Sequence, residues 1–159
     1  MKEAKKLSNP YKRIVELGIV MPPISMLASD FCTHAFEGNL LHLSCQGPID
    51  ASGKRYAGRL GDGVGMEEAY QHARLVGVNL IAVMHDALGD LSRVRRIVKL
   101  VGLVSASPDF SNYQQVVNGC SDLLADVFGD VGDHARLSVG VASLPNNETV
   151  QVEAIVEIC

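Results

Sequence analysis

From Arg136 onward the chain alternates. Leu137, Val139 and Val141 take every second position, Pro145-Asn146-Asn147 interrupts, and Val150, Val152, Ala154, Val156 and Ile158 resume the pattern. A period of two belongs to extended chain, because successive side chains of a strand point to opposite faces. Such a pattern fits no single face of a helix. The chain must therefore build a sheet with unlike faces, and something must cover the apolar one. The spacing predicts a closing hairpin turned at Pro145–Asn147, with the apolar rows facing the cover. The opposite face then carries Arg136 and Ser138 beside Gln151, Glu153 and Glu157, with room above Gly140 and Ala142.

Two stretches of helical period supply the cover. From Met66 to about Leu88, apolar residues recur at steps of three and four: Ala69, Ala73, Val76, Leu80, Val83, Met84 and Ala87. Glu67 and Glu68 suit the positive end of that helix, and Gly89 suits its cap. From Asn112 to Gly129 a second amphipathic helix turns Val116, Val117, Cys120, Leu123, Leu124 and Val127 inward. Gly119 inside it costs about 1 kcal/mol relative to alanine. "FCTHAFEGNLLHLSCQGP" reads as two strands turned at Glu37-Gly38-Asn39. "RIVKLVGLVSAS" reads as a buried strand.

Between these, residues 47 to 65 form a loop rich in glycine and aspartate, with a short edge strand near Tyr56. Ahead of the sheet, Pro10 to Leu17 reads as a short helix ended by Gly18, with Ile14, Val15 and Leu17 on one side. Met21-Pro22-Pro23 makes an extended connector. The order of elements predicts an α+β fold, a mixed sheet with two main helices on one face.

At 159 residues the chain has the length of one domain. Its 47% apolar content supports a sizeable core, and its net charge of −4 argues against nucleic acid as a main partner. Aromatics make up only 5%, too few for a base-stacking platform. The four cysteines, Cys32, Cys45, Cys120 and Cys159, form no CxxC pair. With the five histidines they give no zinc spacing, so neither metal nor cofactor is expected. Free thiols in a reducing cytoplasm are expected instead. The charged start, Met1 to Arg13, does not read as a signal peptide, and no apolar stretch reaches the ~18 residues of a membrane span.

The polar face of the closing strands admits two readings. One is an exposed cross-strand Arg–Glu pair, contributing roughly 0–1 kcal/mol. The other is a receptor for an organic acid, since a guanidinium grips a carboxylate through two parallel hydrogen bonds.

"ARLSVGVASLP" with "VQVEAIVEI" resembles the terminal signature of the RidA/YjgF family, also known as the endoribonuclease L-PSP family. "GNLLHLSCQGP" resembles that family's Ser-Gly-Gln-x-Pro block, and "RIVKLVGLVSASPDF" its central strand. The resemblance runs from residue 30 to 158. Residues 1–29 resemble the N-terminal extension, with a short helix, of a longer subgroup, ahead of a RidA/YjgF-like domain over 30–159.

The resemblance implies a chorismate-mutase-like fold, a homotrimer with ligand clefts between subunits, and hydrolysis of carboxylate-bearing enamines and imines. It implies that Arg136 binds the substrate carboxylate. Ser138 stands where the family cleft has a cysteine, Phe31 where it has a tyrosine, and Cys45 where it has a glycine. The family glutamate that positions water is Gln151 here, and an amide orients water without taking its proton. Glu153, about 7 Å further along the same face, is the candidate to stand in. A cleft that binds a keto acid or amino acid without turnover is the alternative, and RNA cleavage the third.

Other features carry less. "GRLGDGVG" over 58–65 is neither a Walker loop nor a GxGxxG fingerprint. Arg93, Arg95, Arg96 and Lys99 cluster without aromatics, as a solvated edge or ion-pairing surface does. His34 and His42 fall on strands. His134 flanks Arg136 as a surface residue or a general acid, and Cys159 is a bare thiol.

Overall fold

Helix α2 (Met66–Leu88) and helix α3 (Tyr113–Phe128) form where the apolar spacing placed them. Val76, Leu80, Leu123 and Leu124 are wholly buried between them and the sheet. Each such side chain contributes roughly 1.5–3 kcal/mol by leaving water. Gly89 ends α2 in the left-handed conformation, with φ 71°. In the computed structural model, residues 9–27 and 30–159 are described, so the charged residues before Asn9 lie outside them.

The other elements are α1 (Pro10–Glu16) and strands β1 (His34–Glu37), β2 (Leu40–Gln46), β3 (Arg59–Leu60), β4 (Gly63–Val64), β5 (Val94–Ser105), β6 (Ala135–Val141) and β7 (Val150–Ile158). Five strands make one sheet in the order β1-β2-β7-β5-β6, and β3 pairs with β4 apart from it. β5 and β6 are parallel; the other neighbours in the large sheet are antiparallel. Both α2 and α3 pack on one face of it, α2 over β7 and β2, α3 over β5 and β6. This is the expected α+β architecture.

The closing hairpin does not form. β5 lies between β6 and β7, so the turn at Pro145–Asn147 reverses the chain without pairing the strands it joins. The faces differ accordingly. Leu100 pairs with Arg136 on one side and with Ala154 on the other, and Gly102 pairs with Ser138 and Val152. Leu100, Val152 and Ala154 are core residues beneath the helices. Arg136 and Ser138 therefore lie on the helix-facing side. Leu137 and Val139 share the open face with Val101, Leu103, Gln151 and Glu153. The apolar row of β7 faces the helices as expected; that of β6 faces away, and Leu137 is 48% exposed.

Two smaller expectations also fail. Val15 of α1 is exposed, while Ile14 is buried in the core and Leu17 packs against it. Tyr56 lies in no strand; its neighbours Arg55 and Ala57 make single bridges to Ile49 and Glu148. α1 is capped by Asn9, whose Oδ1 accepts from the amides of Tyr11 and Lys12 at 3.0 and 3.2 Å. It packs on α3, where Arg13 Nε donates to the carbonyl of Asp126 at 2.9 Å.

Candidate functional site

Arg136 projects from the edge strand β6 toward α3. Its Nη1 donates to Asn118 Oδ1 at 2.8 Å and to Ser121 Oγ at 3.0 Å, and its Nη2 to the carbonyl of Gln114 at 3.4 Å. All three acceptors are neutral. Among the described residues no carboxylate forms an ion pair with it. Both Nη1 hydrogens are engaged; among the described residues Nε–H and one Nη2–H have no hydrogen-bond partner.

The bracing continues beyond the arginine. His134 Nδ1 lies 2.6 Å from the carbonyl of Gly132, which can only accept, so Nδ1 carries the proton. Nε2 then accepts from Ser121 Oγ at 2.8 Å. Burial holds His134 below the usual histidine range, opposed by its bond to Gly132. With both nitrogens occupied, His134 orients Ser121 and through it Arg136. A hollow of about 420 Å³ opens beside Arg136, lined also by Ser121, Asp122 and His134.

Ser138, two residues along on the same side, has a buried Oγ with no partner. Gly140 follows it; a β-carbon there would run into the Tyr113 ring. The room expected above the glycine is thus filled by α3.

Gln151 and Glu153 lie elsewhere. Gln151 stands in the row of Leu103, and Arg136 in the row of Leu100, two strands away. That is about 10 Å along the strands and about 10 Å across them, on opposite faces. Gln151 joins Phe31, Cys45, Arg55 and Glu148 around a smaller hollow of about 190 Å³. Burial, helped by the nearby charge of Glu153, pushes the Cys45 thiol up to about 11, so it is a neutral group. Phe31 is 62% exposed at the rim. One chain thus gathers Phe31, Cys45 and Gln151, with Glu153 beside Cys45, and holds Arg136 and Ser138 apart.

One residue of this hollow, and one that supports it, carried no signal in the sequence. Glu148 is 1% exposed. Its Oε1 accepts from Arg55 Nη1 at 2.8 Å, and its Oε2 from Gln151 Nε2 at 2.7 Å. A charged residue just past a turn reads as solvated. Here Gly47 leaves space for it, since a β-carbon at Gly47 would overlap the Glu148 carboxylate. Asn79, buried on α2, fixes the loop that carries Gly47. Its Nδ2 donates to the carbonyls of Gly47 and Ile49 at 2.8 and 3.0 Å.

The remaining candidates are structural. Arg95 and Arg96 pair with Glu157 at 3.7 and 3.0 Å, and Arg93 donates to the carbonyls of Leu88 and Cys159. His34 packs edge-on against Phe36, and His42 lies 3.2 Å from Glu37. The 58–65 segment is β3, β4 and their turn. Among the described residues no cluster has the makings of a metal site, and no helix is long and apolar enough to cross a membrane. Another hollow, about 770 Å³, lies between α1 and the Gly89–Ser92 segment and includes none of these candidate residues.

Comparison with known proteins adds four findings. A family model described as "YjgF/chorismate mutase-like, putative endoribonuclease" matches residues 11–158. Protein TCP17 of Trypanosoma cruzi is 41% identical over 143 residues, 89% of each chain. A crystal structure of an Agrobacterium tumefaciens protein of unknown function superposes with a TM-score of 0.87 at 41% identity, covering 95% of this chain and 94% of that one. One of a "putative endoribonuclease" from Shewanella oneidensis gives 0.90 at 30%, covering 95% and 100%.

Proposed function

Because the chain belongs to the YjgF/chorismate mutase-like family, we propose that it is a homotrimeric hydrolase of small, carboxylate-bearing enamines and imines, with the site between subunits. The observation that carries this reading is the braced, counter-ion-free fork of Arg136. An arginine held by neutral groups beside a hollow is prepared for an anion, and two parallel N–H groups match a carboxylate. The separation of the two hollows supports the intersubunit site. Arg136 and Ser138 of one copy meet Phe31, Cys45, Gln151 and Glu153 of the next, and the open apolar face of each sheet is covered in the same assembly. The proposal includes a cytoplasmic setting, which the free cysteines suit.

In this mechanism Arg136 fixes the carboxylate so that the electrophilic imine carbon meets a held water. Gln151 orients that water, Ser138 supplies a hydrogen bond to the ligand, and Phe31 and Cys45 shape the apolar wall. The test is turnover of enzymatically generated 2-aminoacrylate, followed as pyruvate or ammonia. Acceleration is expected, with Arg136→Ala lowering kcat/KM roughly ten- to a hundredfold, the loss of a charged hydrogen-bond pair.

A second reading has its own support in the amide of Gln151, which takes no proton: the cleft binds a keto acid or amino acid without turnover. Thermal stabilisation by 2-ketobutyrate with no acceleration would favour it. RNA cleavage that survives re-purification and is lost in Arg136→Ala would replace both.

A further inference from the structure

We infer that Glu148 is the proton acceptor of this site, supplying from three residues upstream the carboxylate that Gln151 lacks. The inference rests on the hydrolase reading and deepens it. Glu148 lines the same hollow as Phe31, Cys45 and Gln151, and it is the carboxylate that Gln151 itself touches. Because a carboxylate bound to Arg55 is ionised and only accepts, Gln151 must offer its Nε2–H to it. That fixes the amide: Nε2 of Gln151 is spent on Glu148, and Oε1 is left to accept from a water. Glu148 has two oxygens and about four lone-pair sites, and Arg55 and Gln151 use one on each. A water held between Gln151 Oε1 and Glu148 is therefore both oriented and able to lose its proton.

The step balances. The water oxygen bonds to the carbon of the protonated imine, the C=N π pair settles on nitrogen as a neutral amine, and the released proton goes to Glu148. Glu148 returns that proton to the amine. The C–N bond then breaks as the hydroxyl oxygen forms the carbonyl, and its proton leaves on ammonia as ammonium. The products are a keto acid and ammonium, and Glu148 is ionised again.

Charged and ionisable groups face Glu148 from several elements. Arg55 faces it from the loop after β2, and Lys54 beside Arg55 lies over the Tyr56 ring. Cys45 on β2 and Glu153 on β7 are the other ionisable groups on that side. His72 of α2 sits behind it, bonded to Thr149 at 2.9 Å. Among the described residues Arg55 is the one cation paired with it.

The experiment is the pH dependence of kcat for 2-aminoacrylate hydrolysis by the full-length protein. Wild type is expected to lose activity below a single acid-side pKa. Glu148→Gln should lower kcat by about 10²–10⁴ with KM within a few fold, and should lose that limb. Glu148→Gln combined with Gln151→Glu, which moves the carboxylate to the neighbouring position, should regain at least tenfold over Glu148→Gln alone. Arg55→Met removes a positive neighbour, so the acid limb should move to higher pH. This variant decides the matter if Glu148→Gln does not fold.

A wild-type pH profile in Glu148→Gln, or an unmoved limb in Arg55→Met, overturns the inference. If Arg136→Ala is inactive but Glu148→Gln is not, this inference alone fails. If wild type shows no turnover, the hydrolase reading fails with it.

Discussion

Gly119 sits mid-helix in α3, where propensity alone says alanine should replace it. A β-carbon there would instead run into the carbonyl oxygen of Tyr70 and the amide of Arg74 on α2. The glycine is what lets two helices touch backbone to backbone. Gly119→Ala should therefore destabilise the protein by about 1–3 kcal/mol, the usual cost of overpacking. For a chain of this size that lowers Tm by roughly 2–4 °C per kcal/mol, measurable by calorimetry. The sequence held the residue but not the reason, since helical period carries no information on how near the next helix comes. Glu148 was illegible for the same cause: its burial depends on Gly47, a hundred residues away in the chain.

A second residue couples the fold to pH. Burial holds His72 below its ordinary value of 6.5. Below about 6.5 the unfolded chain takes up a proton there that the folded protein refuses until lower pH. The contribution is intact above that value and is lost as pH falls through it. Urea midpoints at pH 7.5 and 5.5 should differ, and His72→Asn, which keeps a donor for Thr149, should shrink the difference.

At the scale of elements, the α-helices and the strands of the large sheet were visible in the sequence, while the neighbour relation of β6 and β7 was not. A short turn shows that the chain reverses; it does not show that the two strands touch. Residues 142–149 cover two strand spacings, about 10 Å, and β5 fills the gap. That one exchange reverses the face of β6. The alternating apolar row was correctly seen, but α3 offers Asn118 and Ser121 to the polar row, and the apolar row turns outward. The same packing leaves Ser138 Oγ buried and unpaired. Removing an unsatisfied hydroxyl recovers its desolvation cost, about 1–3 kcal/mol at most. Ser138→Ala is expected to raise Tm, or leave it unchanged, while weakening ligand binding; a fall in Tm would mean the hydroxyl has a partner in the assembly.

For the whole molecule, the sheet has helices on one face only. The other presents Val101, Leu103, Leu137 and Val139. A contiguous apolar face of this kind marks an association surface. Leu137→Glu should convert the proposed trimer to single chains in sedimentation experiments, with the helical circular dichroism preserved. If the mass does not change, the proposed trimer does not use this face. Loss of the assembly should also abolish imine turnover, since Arg136 and Gln151 lie on opposite faces of one chain.

The sheet's middle strand, β7, is translated after the other four strands of the sheet. Until it arrives, β1–β2 and β5–β6 are two separate ribbons with exposed inner edges. A nascent chain of this protein therefore cannot complete its architecture progressively during synthesis. It assembles by late insertion of one strand between two waiting halves, and chaperones that shield strand edges should act on it before that strand emerges.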